Sequence, residues 1–170
     1  MGDSKARVAI SPELHQVVQE VLALNGTFAF RARGYSMCPL IHPGDILQVQ
    51  PVTPQELRKG DIVLFLGPQG SYVTHRLIRK VKANGRLVVL ITQGDNTEAQ
   101  DIPIQAQEVV GKVVAIEREG RWLRLDRGMG RLLNYAIYYF RGWSPWRPRA
   151  ARGLGRYPWR CLKGLMWRKA

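Results

Sequence analysis

Near its start the chain carries apolar residues at steps of three and four: Leu14, Val17, Val18, Val21 and Leu22. That spacing draws one apolar stripe along a helix. Ser11-Pro12-Glu13 supplies an N-cap, a residue suited to the first helical position and an early acid, and Asn25-Gly26 supplies the stop. Beyond Gly26 the period shortens. TFAFRAR, DILQVQ, DIVLFL, SYVTHRLIRKV, RLVVLIT, EVVGKVVAIER and WLRLD are β-branched or aromatic runs parted by turn residues. Asn84-Gly85, between two of them, predicts a tight hairpin. Short strands packed this closely predict a mainly β fold, an antiparallel, barrel-like domain behind one N-terminal helix. Farther on, RLLNYAIYYFRGW has the aliphatic and aromatic density of a helix with one apolar side.

Composition adds little until charge is placed along the chain. With 170 residues, 45% apolar and 23% charged, this is an ordinary globular composition, long enough for one well-buried domain. Two cysteines far apart, Cys38 and Cys161, make neither a disulfide framework nor a zinc site, and no metal or cofactor is expected. The first residues lack the apolar core of a signal peptide, and no run reaches the ~20 apolar residues of a membrane span. A cytoplasmic protein, with peripheral membrane contact left open, is the expectation. The net charge of +13 is uneven: nine Arg and two Lys lie from Arg127 onward, with no acidic residue among them. Trp143, Trp146, Trp159 and Trp167, four of the five tryptophans, lie there too. This shift predicts three segments: a helical segment over 1–26, a β domain over 27–127 and a basic, Trp/Arg-rich tail over 128–170.

Candidate chemistry gathers in RARGYSMCPLIHPGD, residues 31–45, where Ser36 stands between Gly34 and Pro39. Glycine and proline at such density either end a strand or hold one side chain in a set pose. A serine hydroxyl is a weak nucleophile until a neighbouring base takes its proton, and that base needs an acid to orient it. Of the three histidines, His15 falls on the polar side of the helix, where a solvated residue is expected, and His42 in a turn that suits a structural role. His75 lies mid-strand in SYVTHRLIRKV, and TQGDNTEAQD offers Asp95, Glu98 and Asp101 as the acid. By pattern alone, a structural strand histidine and a Ser-His-Asp set both remain open. Lys59, Lys80 and Lys82 are the alternative bases, since a lysine stripped of its proton by burial serves the same end. Cys38, beside the serine, belongs to no motif and reads as a neighbour open to small thiol reagents.

Taken together, GYSMCP, the following GDI, RKGDIVLF, VTHR and QGDN with a second aspartate resemble the type I signal peptidases and their relatives, over residues 27 to 118. The nucleophile of that superfamily is the serine of a Ser-Met pair, with proline two places after the methionine, as Ser36, Met37 and Pro39 stand here. Bacterial signal peptidases and LexA-type repressors take a strand lysine as base; the archaeal and endoplasmic-reticulum branch takes a histidine in a V-x-H-R-like strand. The resemblance is closest to the histidine branch: Ser36 and His75 are 39 residues apart, His75 and Asp95 20, Asp95 and Asp101 six. Gly-x-Ser-Met is nearer the mitochondrial inner-membrane peptidases and LexA-type proteins, and an amphipathic helix stands where a membrane anchor is usual.

The resemblance implies a serine endopeptidase, free of metal and cofactor, cleaving leader or signal-type peptides from precursor proteins. Ser36 attacks, His75 is the base, and Asp101 and Asp95 orient it, with Asp101 favoured as direct partner. Gly34, Tyr35, Met37 and Pro39 shape the nucleophile turn, and the N–H of Ser36 with the Gly34-Tyr35 turn is the expected oxyanion site. The rival reading is a peptidase-like binding module that acts through its basic tail. For that tail an anionic membrane surface and a protein partner rank equal. Nucleic acid ranks third, because no helix-turn-helix, zinc-finger or RNA-binding signature accompanies the charge.

Overall fold

A computed structural model describes residues 10–140 and the two-residue strand Arg168–Lys169. Helix α1 covers Pro12–Asn25, as its punctuation predicts: the Ser11 hydroxyl accepts from the N–H of Leu14 at 3.2 Å, and Gly26 ends the helix at φ 64°. Strands follow at Phe28–Arg31 (β1), Ile46–Gln50 (β2), Ile62–Leu66 (β3), Tyr72–Ala83 (β4) and Arg86–Gln93 (β5). Then come Ile104–Gln105 (β6), a 3-10 turn, Val109–Arg118 (β7) and Arg121–Arg124 (β8). Helix α2 is Gly128–Phe140, and Arg168–Lys169 forms β9 against β8. All pairings are antiparallel, in the order β1-β2-β7-β3-β4-β5-β6, with β8 on β7, so the sheet curls into a half-barrel. The mainly β, antiparallel, barrel-like fold with one N-terminal helix is what the sequence pattern predicts. At the β4–β5 hairpin Asn84 and Gly85 both take positive φ, 50° and 76°, the backbone its Asn-Gly dipeptide favours.

β3 shows why the curl holds. Its residues IVLFL are apolar on both faces, and alternation sends Ile62 and Leu64 one way and Val63 and Phe65 the other. The first pair joins the main core with Leu47, Val49, Val113 and Ile116; the second joins a smaller core with Leu57, Leu77, Leu90 and Ile104. Both helices rest on the main core. α1 contributes Val18 and Leu22, an i, i+4 pair, while Leu14 and Val17 of its stripe remain half exposed. α2 contributes Leu133 and Ile137. Gly130 lets α2 lie on β8, because a Cβ there would overlap the carbonyl oxygen of Arg124. The segment expected to begin a tail at residue 128 therefore starts with a helix packed on the sheet. Its remainder, residues 141–167, with Cys161 and the four tail tryptophans, lies outside the described residues.

Two Gly-Asp-Ile turns share one construction. Gly44 and Gly60 take φ of 97° and 91°, and each following aspartate caps its own turn. Asp45 accepts from the N–H of His42 and from Arg118 at the end of β7; Asp61 accepts from the N–H of Arg58 and pairs with Lys112 of β7 at 2.8 Å. These turns thus pin the starts of β2 and β3 to the central strand. Among the described residues no helix is long and apolar enough to cross a membrane.

Candidate active site

The nucleophile candidate stands on a short helical turn that follows Gly34, whose φ of 79° is the left-handed bend glycine tolerates best. The turn is held by Cys38 N–H to Tyr35 O at 3.1 Å and Ile41 N–H to Met37 O at 3.0 Å. Met37 anchors it in the main core, and the Cys38–Pro39 peptide is cis. Ser36 itself is half-buried and Tyr35 largely exposed, so the turn presents its serine at the surface of the core.

His75 is carried by β4. Cross-strand partners share a face, so its pairing with Val63 of β3 turns it toward the smaller core, where Phe65 meets its ring edge-on at 6.4 Å between centroids. Its Nδ1 is 2.7 Å from Oδ2 of Asp101. The same carboxylate oxygen accepts from the Thr92 hydroxyl at 2.7 Å, while the Asp101 N–H donates to the Thr92 carbonyl at 2.8 Å. Asp101 is thereby fixed by β5 from two directions. The other ring nitrogen, Nε2, lies close to the serine turn: a Cβ built on Gly94 would lie 3.1 Å from Nε2 and 2.7 Å from the carbonyl oxygen of Ser36. Gly94 is the narrow spacer between the two. Beside it, Asn96 donates its N–H to the Ser36 carbonyl at 2.8 Å and its side-chain amide to Tyr35 O at 3.3 Å. The loop after β5 clamps the backbone of the nucleophile turn.

Asp95 goes elsewhere. Its two carboxylate oxygens accept from Nε and Nη2 of Arg76, both at 2.6 Å. Arg76 follows His75 directly, and adjacent strand residues project to opposite faces, so the loop's two aspartates serve different side chains. Orientation of His75 by Asp95, expected alongside Asp101, is not seen as a direct contact: the Asp95 carboxylate pairs with Arg76 instead. Glu98, the third acid considered, is exposed.

The alternative bases are placed away from this cluster. Lys80 donates from Nζ to the carbonyls of Gln55 and Leu57 at 2.7 and 2.6 Å. Lys59 and Lys82 are exposed. His15 is not merely solvated, since its Nδ1 lies 2.9 Å from the Tyr72 hydroxyl. His42 keeps its turn role, and burial together with the nearby Arg118 lowers its pKa. Burial also pushes the Cys38 thiol up to about 11, and Sγ meets the carbonyl of Ile41 at 3.4 Å. The expected reactivity toward thiol reagents does not suit a thiol so protected. Among the described residues no three His, Cys, Asp or Glu side chains gather as metal ligands.

With this geometry in view, the family described as Peptidase S24-like matches residues 7–114. The chain belongs to that family. The match takes in α1, the serine turn, His75, both aspartates and β7 up to Val114, and stops short of β8 and α2. A curated relative, signal peptidase I W of Bacillus subtilis (strain 168), is 34% identical over 76 residues, covering 44% of this chain and 40% of the relative. Both findings support a peptidase-like superfamily member, in agreement with the resemblance of its motifs.

Several positions in this S24-like site escaped the motif reading. Thr92, Gly94 and Asn96 lie within or beside TQGDN, and only the glycine, bracketed by polar residues at a strand end, gave a local signal. Arg76 was visible in VTHR without a role. Asn134, which also reaches Arg76, sits in an apolar and aromatic run where a lone amide is the signal for a buried partner.

Proposed function

We propose that this S24-like chain is a serine endopeptidase that cleaves leader or signal-type peptides from precursor proteins. The observation that carries the reading is the Asp101–His75 pair, with Nε2 and the Ser36 carbonyl both close against Gly94. In the proposed reaction the Ser36 hydroxyl attacks the scissile carbonyl as His75 Nε2 takes its proton, giving a tetrahedral oxyanion. The N–H of Ser36, with the Gly34-Tyr35 turn, supports that oxyanion. The His75 Nδ1–H donates to Asp101, which stabilises the imidazolium. Collapse releases the amine, protonated by His75, and leaves an acyl-serine that water hydrolyses by the same proton relay. The test is incubation of the purified chain with a peptide library and mass-spectrometric reading of new termini. Cleavage is expected from the wild type and none from Ser36→Ala, with stability changed by no more than about 1 kcal/mol. Equal cleavage by the variant, or none by the wild type, overturns the reading.

The partner we propose beyond the substrate is an anionic lipid surface, docked peripherally from a cytoplasmic location. Along the outer side of α2, Met129, Leu132, Ala136, Tyr139 and Phe140 are all exposed, an apolar stripe opposite the one that Leu133 and Ile137 pack inward. Arg127 and Arg131 flank it, and the chain from Arg127 on has no acidic residue, so its charge complements anionic headgroups. A basic residue at such a surface contributes about 1 kcal/mol, and an apolar face adds attraction that salt does not screen. The chain should sediment with anionic vesicles at low salt, keep part of that binding at high salt, and lose the salt-resistant part in Leu132→Glu. Absence of low-salt binding removes the membrane and favours a protein partner.

A further inference from the structure

We infer that Asn134 is a positioning residue for the nucleophile turn, acting from α2 through Arg76 and Asp95. This rests on the peptidase reading for its effect on turnover, though not for its effect on the loop. The Arg76 side chain is fully buried and the Asp95 side chain is 1% exposed. A guanidinium so enclosed must find acceptors for its donors within the protein. Nε and Nη2 are taken by Asp95, and Nη1 donates to the Gly60 carbonyl at 2.8 Å, to Asn134 Oδ1 at 2.5 Å and to Asn134 O at 3.2 Å. Asn134 Nδ2 in turn donates to the Gly60 carbonyl at 3.2 Å. Gly60 is sealed from the other side, since a Cβ there would stand 3.3 Å from the Tyr138 ring and 3.4 Å from that of Tyr135. One end of the guanidinium is therefore set by α2 and the other sets Asp95.

What Asp95 holds is the clamp on the serine turn. Its neighbour on one side is Gly94, packed between the Ser36 carbonyl and His75 Nε2; on the other is Asn96, whose N–H binds the Ser36 carbonyl. Rotation or retreat of Arg76 moves Asp95, and with it both contacts that fix Ser36 against His75. α2 lies beyond residue 114, where the family match ends, so this support comes from outside the matched segment.

The test is site-resolved hydrogen exchange on the full chain, with peptide kinetics beside it. In Asn134→Ala the Asn96 amide should exchange about tenfold faster or more, while Leu90 and Ile91 of β5 keep their protection. Asn134→Asp, which keeps an oxygen facing Nη1, should return Asn96 to within about threefold of wild type, and Leu24→Ala, exposed near the end of α1, should leave it unchanged. With a cleavable peptide, Asn134→Ala should lower kcat about tenfold at a nearly constant KM. Unchanged Asn96 exchange in Asn134→Ala, or a rise shared equally by β5, overturns the inference. Failure of the peptidase reading would show separately, as a wild type that cleaves nothing while the Asn96 amide still responds.

Discussion

His75 and Arg76 are neighbours on one strand, and each meets an aspartate from one loop, yet the two pairs are built differently. His75–Asp101 is a single contact at 2.7 Å whose carboxylate side chain is 24% exposed. Arg76–Asp95 is a two-pronged contact with both side chains sealed, and it is backed by Gly60 and Asn134. The first leaves one ring nitrogen free to face Gly94 and the serine turn; the second commits its donors to fixing a loop. A proton relay needs a group that can change its charge and reach a substrate. A structural pair needs the opposite, because a buried ion that loses its partner is costly. Two adjacent strand residues therefore differ in kind: His75 suits the proposed proton relay on one face, and Arg76 holds the loop on the other.

The sharpest way to break this contrast is to neutralise each acid. Asp101→Asn should cut turnover about 10²–10⁴-fold, because an amide cannot stabilise the imidazolium as a carboxylate does, while the melting temperature moves little. Asp95→Asn should instead lower stability by about 3–5 kcal/mol, read from urea unfolding, through the stranded Arg76 charge. Were Asp95→Asn to leave stability intact while Asp101→Asn unfolded the chain, the division of roles would be inverted.

A smaller effect is expected at the spacer between the two pairs. Gly94→Ala places a methyl group 2.7 Å from a backbone oxygen that Asn96 holds in position, so the serine turn and His75 must part. A shift of about 1 Å between reacting groups costs on the order of 10²-fold in rate, and kcat should fall by about that factor at nearly constant KM. Wild-type turnover in this variant would mean that the turn yields freely and that the clamp is not rigid.

The smallest effect concerns Cys38, which lies beside the serine without joining its chemistry. Its pKa is raised from 9.0 to about 11, chiefly by burial, so the folded chain keeps the thiol proton between these values while the unfolded chain releases it. Stability linked to Cys38 is then fully present below pH 9 and declines as pH rises through 11. In a Cys161→Ser background, iodoacetamide at pH 8 should modify Cys38 slowly and leave peptide cleavage unchanged on the timescale that labels a free thiol. Fast labelling with loss of activity would place a reactive thiol in the site.

Most of the framework was legible because its determinants are local. Ser11-Pro12 and Gly26 bound α1, Asn84-Gly85 turns the β4–β5 hairpin, and apolar runs mark the longer strands, since capping, left-handed turns and alternation depend on residues a few places apart. The motifs around Ser36, His75 and QGDN named the pieces of the site, again from short stretches. Tertiary structure decided how those pieces were allotted. Strand alternation alone separates the directions of His75 and Arg76, yet which aspartate each meets depends on the path of the loop after β5 and on the Thr92 hydroxyl that receives Asp101. Likewise α2 was readable as a helix with an apolar side, but nothing near Asn134 in sequence points to Arg76, 58 residues away. A buried cation takes whatever acceptors the fold brings to it, and that pairing is settled only when the sheet has curled and the helix has closed over it.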